Sequence, residues 1–262
     1  MTIPESGYPR AAAVSPRLHV IEHADSTNAH LRRDAEADPA AHPHLSVLVT
    51  RDQRAGRGRL DRSWTTPPGT ALAISVLLRV EAVPVASRGW IPLLAGLAMS
   101  EAVDAQLRDA RVGLKWPNDV LVDGMKISGI LAEVLPGQAG DVIVGAGVNT
   151  TMARVDLPVS TATSFAAMGA DVDEDRLLAD FLTGLRDLVA ELAVGGAGAE
   201  LRDRVSRACL TLGAEVAVSL PDGDVITGEA QRLDEDGRLV VGTPTGEAVI
   251  AAGDVVHVRP LS

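Results

Sequence analysis

At Leu210 the 262-residue chain changes texture, and the change predicts two units rather than one. Upstream, long apolar runs such as A-L-A-I-S-V-L-L-R at 71–79 and V-I-V-G-A-G-V-N at 142–149 alternate with helical patterns over 27–37, 87–108, 173–194 and 199–209, as strands buried under helices do. Downstream, E-V-A-V-S-L, V-I-T-G-E-A-Q-R-L, R-L-V-V-G-T, E-A-V-I-A and D-V-V-H-V-R-P are short alternating runs broken by Pro221-Asp222-Gly223 and by a turn over 234–237, which predicts a small antiparallel barrel. A hydrophobic share of 46% supports a sizeable core, and no apolar run reaches membrane-spanning length. Residues 1–16, with Pro4, Gly7, Pro9 and Pro16, have neither the basic start nor the apolar centre of a signal peptide and read as a disordered tail. One cysteine, Cys209, excludes an internal disulfide and a cysteine-built zinc site; it reads as a buried thiol in a reducing, cytoplasmic setting.

Charge singles out one stretch. The formal total is −11, yet R-D-Q-R-A-G-R-G-R-L-D-R-S-W, from Arg51 to Trp64, carries five arginines against two aspartates and is locally +3. Gly56 and Gly58 alternate with Arg57 and Arg59, so the backbone can approach a ligand closely while each guanidinium forks onto a phosphate or carboxylate. A dinucleotide fingerprint would need glycine at Asp61 and a helix next, whereas Pro67, Pro68, Gly69 and a strand follow; no Lys-Ser/Thr pair closes a Walker loop. The stretch is read as an anion-cradling loop.

Of 24 basic residues, the only two lysines are Lys115 and Lys126. An ammonium is a compact point charge where a guanidinium is a planar fork, so retained lysines point to single oxygens met in tight places. Both flank a hairpin whose Asp123-Gly124 turn is a strong type I′ signal. Trp64 and Trp116, in a chain of 2% aromatics, stand beside these basic motifs and are read either as site walls or as core. Asp25 or Ser26 caps the helix that follows. The small residues before Asn149 would let backbone lie against a flat ring, with the Asn149 amide at its edge. His42 and His44 lack Asp, Glu or Cys partners at ligand spacing and are not read as metal ligands.

Taken in order, Asp25-Ser26-Thr27-Asn28, then Gln53-Arg54-Ala55-Gly56-Arg57-Gly58-Arg59 with Trp64, Lys115-Trp116-Pro117-Asn118-Asp119, Lys126-Ile127-Ser128-Gly129-Ile130-Leu131 and Gly145-Ala146-Gly147-Val148-Asn149 resemble the motifs of biotin protein ligases across nearly the whole chain. One departure is Asp61, where many relatives have glycine. The resemblance implies an α+β protein, with a mixed-sheet catalytic domain of the biotin/lipoate ligase type over 17–209 and an SH3-like barrel over 210–262. It implies that biotin and ATP, with Mg2+, form biotinyl-5′-AMP, from which biotin passes to a lysine of a biotin carboxyl carrier domain of an acyl-CoA carboxylase. Arg57, Arg59 and Lys115 are then the catalytic residues. Ser26, Thr27, Asn28, Gln53, Gly56, Gly58 and Gly129 join them around biotin, and Arg57 and Arg59, with Arg62, Trp64, Asn118, Lys126 and Asn149, meet the nucleotide. No protein metal site, nucleic-acid partner or membrane partner is expected: the chain is acidic, and a motif starting at Asp25 leaves no room for a three-helix DNA-reading unit. A monomer or weak homodimer is expected. The rival readings are a lipoate ligase, which normally lacks the Gly-Arg-Gly-Arg loop, and a non-enzymatic anion- or nucleotide-binding module.

Overall fold

A computed structural model describes residues 7–59, 62–107, 109–135 and 140–258; Asp61 and Arg108 lie outside them. Among the described residues nine strands precede the texture change: β1 (Arg17–Val20), β2 (Ser46–Thr50), β3 (Gly56–Arg57), β4 (Ser63–Trp64), β5 (Ala71–Arg79), β6 (Val112–Lys115), β7 (Asp119–Val122), β8 (Met125–Val134) and β9 (Asp141–Asn149). Seven form one sheet in the order β1-β2-β5-β9-β8-β7-β6, parallel only between β1 and β2 and hence mixed, as expected. The short pair β3 and β4 stands apart from it.

Alternation along the strands assigns the faces. Leu72, Ile74, Val76 and Leu78 of β5 join the main core with α3 (Ile91–Asp104) and α4 (Glu174–Gly195). On the opposite face Leu48, Leu77 and Ile143 pack under Leu31 and Ala35 of α2 (Thr27–Ala37). α3 starts later than the 87–108 pattern predicted, because a 3-10 turn over Val85–Trp90 precedes it and Pro92 favours a helix start. Asp123 and Gly124 take φ of 49° and 78°, the conformation that a type I′ turn requires. His42 Nδ1 bonds to Asp38 O at 2.8 Å and His44 Nδ1 accepts from Arg79 N at 3.1 Å, so both rings are engaged in structure.

The expected disordered tail is corrected from residue 7 onward. α1 (Pro9–Val14) docks on α4: the free N–H groups of Arg10 and Ala11 both donate to the Asp175 carboxylate at 3.1 Å, and the buried Tyr8 hydroxyl donates to Glu174 at 3.2 Å. A helix end capped from 164 residues away leaves no local signature to read. Among the described residues no helix is long and apolar enough to cross a membrane.

After α5 (Ala199–Ala208), Leu210 N donates to Leu114 O at 2.7 Å, tying the linker to the edge strand β6. β10 (Glu215–Ser219), β11 (Val225–Leu233), β12 (Leu239–Thr243), β13 (Gly246–Ile250) and β14 (Asp254–His257) follow, close to where alternation placed them. Their sheet runs β13-β12-β11-β10-β14 and is antiparallel throughout. It is open rather than the closed barrel anticipated: among the described residues the edge strands β13 and β14 do not pair. Two buried indoles dock it, Trp90 Nε1 donating to Glu235 O at 2.8 Å and Trp116 Nε1 to Gly237 O at 3.1 Å. Trp116 is therefore core and interdomain contact, the plainer of its two readings.

Candidate active site

A cavity of about 150 Å3 opens where the α2 face of the sheet runs out of large side chains. Strand register sets its floor: the row Ala73–Gly147–Gly129 lies beside the row Ser75–Gly145–Leu131, while one step further Leu77–Ile143–Glu133 restores bulk. The missing side chains are a requirement. A Cβ on Gly145 would sit 2.5 Å from Asn28 Oδ1, and one on Gly147 2.5 Å from the Trp64 ring, so backbone does lie against a flat ring here, an indole of the chain itself.

One wall is the start of α2. Ala24 pairs with Gln53, while Arg54 N donates to Ala24 O and Ala55 N to Asp25 O, at 2.9 and 2.8 Å, laying 24–28 along the arginine stretch. Ser26 is the N-cap, its Oγ accepting from Ala29 N at 3.4 Å. Gln53 Oε1 accepts from Thr27 N at 2.8 Å and from Thr27 Oγ at 3.0 Å, which fixes its amide; the Nε2 lies so close to Gly56 that a Cβ there would be 2.5 Å away. Gly56 is thus fixed by packing and does not itself line the cavity.

Asn28 is fully committed. Its Oδ1 accepts from Ser75 Oγ at 2.6 Å, and its Nδ2 donates to Glu133 Oε2 at 2.7 Å and Leu131 O at 3.3 Å. The same Glu133 pairs with Arg57 at 3.0 Å. Asn28 and Glu133 together hold the α2 start, the sheet and Arg57 in one network.

Four cations line the cavity: Arg57, Arg59, Arg62 and Lys126. Three are neutralised, Arg57 by Glu133, Lys126 by Asp119 at 2.6 Å and Arg62 by Asp254. The Arg62 hydrogen bond holds the Asp254 carboxyl below its ordinary range, while Asp254 raises Arg62 in turn. Arg59 differs. Among the described residues it has no carboxylate within ion-pair distance; its Nη1 donates only to neutral oxygens, Asn118 Oδ1 at 3.3 Å and Gly253 O at 3.5 Å, and its burial lowers its pKa. Asn118 is braced on β8, its Nδ2 donating to Ile130 O at 2.7 Å and its O accepting from Ile130 N at 2.8 Å.

Most of the residues singled out from the sequence converge here: Ser26, Thr27, Asn28, Gln53, Arg57, Gly58, Arg59, Arg62, Trp64, Asn118, Lys126 and Gly129 all line the cavity. Lys115 and Asn149 do not. Lys115 sits at the sheet edge, on the same row as Asp119, Gly129 and Gly147, where its charge acts on Asp254 and His257. The buried Asn149 amide donates to Thr163 O at 2.8 Å. Arg51 and Arg54 stay at the root of the stretch, Arg51 donating to Gly69 O at 2.6 Å and Arg54 pairing with Asp52 at 2.9 Å. Sequence reasoning missed Glu133, Ser75 and Asp254. Glu133 was within reach, since alternation from Gly129 puts it on the site face; nothing local announces Asp254, which arrives from the C-terminal sheet.

Comparison with known proteins fits this geometry. Residues 20–149 match the biotin/lipoate A/B protein ligase family and residues 211–258 the biotin protein ligase C-terminal domain. A biotin–[acetyl-CoA-carboxylase] ligase of Mycobacterium tuberculosis is 38% identical over 246 residues, 93% of this chain and 90% of that protein. The chain belongs to the biotin protein ligase family. A ligase of the same description from Paracoccus denitrificans is 30% identical over 90% of this chain and 98% of its own length. Biotin protein ligase from Aquifex aeolicus, solved with biotin and ATP, superposes with a TM-score of 0.76 at 28% identity, covering 93% of this chain and 99% of that one.

Proposed function

We propose that this ligase joins biotin to ATP as biotinyl-5′-AMP and passes the biotinyl group to a lysine of a biotin carboxyl carrier domain. In the first step a carboxylate oxygen bonds to the α-phosphorus while the bond from that phosphorus to the pyrophosphate oxygen breaks. Anion meets anion, so cations fixed beforehand contribute most. The observation that carries the reading is Arg59, a half-buried guanidinium that faces the cavity and, among the described residues, has only neutral oxygens as hydrogen-bond partners. Leaving a buried charge uncompensated is costly, and a bound phosphate would compensate it.

Gln53 and the α2 start would hold the polar head of biotin over the glycine floor, with Trp64 as the wall. Arg57 would exchange Glu133 for the ligand's oxygens. For the ammonium that meets a single oxygen, geometry favours Lys126 over Lys115, because Lys126 lines the cavity. Asn149 then serves the end of β9 rather than the adenine edge. Among the described residues no group of three or more His, Cys, Asp or Glu side chains could hold a metal, and Asp119 and Asp254 are committed to cations. Mg2+ would thus enter on the triphosphate, neutralising its charge, without a protein cage.

The match of 211–258 to the biotin protein ligase C-terminal domain favours biotin over lipoate. Pyrophosphate exchange into ATP tests this: biotin should drive it and lipoate should not. Exchange with lipoate alone, or with neither acid, would refute the reading.

A further inference from the structure

A second cavity, of about 330 Å3, adjoins the first, and most of its lining has no role in the adenylation just described. Three distant parts of the chain enclose it: Pro92 and Leu93 at the start of α3, the Trp116–Pro117 segment, and the 236–238 turn of the C-terminal sheet. Its inner end consists of Arg59, Asn118, Ile130 and Leu131, all of which also line the first cavity. The Arg59–Asn118 hydrogen bond therefore stands in a shared wall. Elsewhere on the lining of the second cavity Arg238 pairs with Asp236 at 2.9 Å and with Asp234, which lies outside the lining, at 2.7 Å.

The second half of the proposed reaction needs a feature that the first cavity lacks. A lysine in water is a cation with a pKa near ~10.4, and only its neutral amine can attack an acyl carbon. Transfer to apolar surroundings disfavours the ammonium, as does a nearby positive charge. The second cavity offers both conditions: walls of proline, leucine and indole that suit a four-carbon stem, and the Arg59 guanidinium where it adjoins the first cavity. Departing pyrophosphate would meet the opposite of what it needs, apolar walls.

We propose that this cavity is the passage by which the acceptor lysine reaches the acyl phosphate, with its amine losing a proton on the way. The inference rests on the ligase reading above. The neutral nitrogen bonds to the acyl carbon, the bond from that carbon to the phosphate oxygen breaks, AMP leaves with the electron pair, and the nitrogen sheds its second proton to solvent.

Ala251, exposed at the rim of this cavity and absent from the lining of the first, allows a test on the folded protein. The sole native thiol, Cys209, is buried and its pKa is pushed up by that burial, so in Ala251→Cys a thiosulfonate reagent modifies position 251 alone. Attaching a benzylthio group should slow transfer to a biotin carboxyl carrier domain by about tenfold or more. Biotin-dependent pyrophosphate exchange should stay within about twofold, a methylthio label should have little effect, and dithiothreitol should restore transfer. Unchanged transfer under the benzyl label would overturn the passage, as would exchange falling in step with transfer, which would place the cavity in the adenylation site. If unlabelled wild-type protein shows no biotin-dependent exchange, the ligase reading fails first and takes the passage with it.

Discussion

The hairpins β7–β8 and β3–β4 both bring cations to one cavity, yet they are built on different principles. The first is a continuous part of the seven-stranded sheet, closed by a type I′ turn, with Lys126 further held through its own N–H and C=O to Thr161 and Thr163 at 2.7 and 2.8 Å. The second has two backbone pairs, Gly56 with Trp64 and Arg57 with Ser63; besides the Trp64 ring against Gly147, its described links to the body include side-chain contacts to Glu133, Asn118, Gly253 and Asp254. Exposed ion pairs are each worth ~0–1 kcal/mol, so such links give way easily. A reactive acyl phosphate needs a fixed cation below and a cover that opens to admit substrates, and under the proposed function the two hairpins would divide that work between them.

Arginine substitutions should break this division most severely. Arg59→Ala should lower biotin-dependent exchange by roughly 10²–10³-fold, the cost of losing a fixed charge at a developing one. Arg54→Ala, whose partner is the neighbouring Asp52, should stay within about threefold. Equal losses would mean that the stretch acts as a diffuse basic patch. Next in size is the lysine comparison: Lys126→Arg should reduce kcat about a hundredfold, because a planar fork cannot replace a point charge in the floor, while Lys115→Arg should remain within about threefold. The reverse order would return the catalytic role to the sheet edge.

The Arg62–Asp254 latch should have the smallest effect. Asp254→Asn should raise the KM for ATP by about two- to fivefold with kcat nearly kept, as expected for an interaction that shifts a loop equilibrium. Its pH dependence has a definite sign. The folded Asp254 carboxyl titrates below its unfolded value, near ~3.9, so the latch is complete above that value and is lost only as pH falls through the lower folded one. Steady-state kinetics at pH 6 and pH 8 should show the same dependence on this pair; a latch that weakens over that interval would contradict the ion pair as its cause.

The two hairpins also differ in how much of them the sequence revealed. Asp123-Gly124 between two alternating runs specifies its turn, strands and register locally, and Lys126 takes its place in the site as a result. The arginine stretch announced its anion chemistry through composition, but its closed form depends on partners 76 and 192 residues away, Glu133 and Asp254, which no local pattern links to it. The same limit hid α1, capped by a distant helix, and the difference between the two lysines: rarity marked both alike, whereas in the fold Lys126 lines the cavity and Lys115 stands at the sheet edge on the row of Asp119, Gly129 and Gly147. The C-terminal strands were legible from alternation, whereas closure of their sheet is a matter of long-range pairing.

Limited trypsin digestion tests the rigid floor and releasable cover most directly, since both hairpins carry cleavable residues. Without ligands, early cuts should fall after Arg57, Arg59 or Arg62, and none after Lys126. Biotin with Mg-ATP should suppress the cuts in the arginine stretch while leaving other early cuts unchanged, and Arg57→Ala should lose that protection where Arg51→Ala, at the root, keeps most of it. Equal cleavage of the arginine stretch with and without ligands, or an early cut after Lys126, would contradict the account.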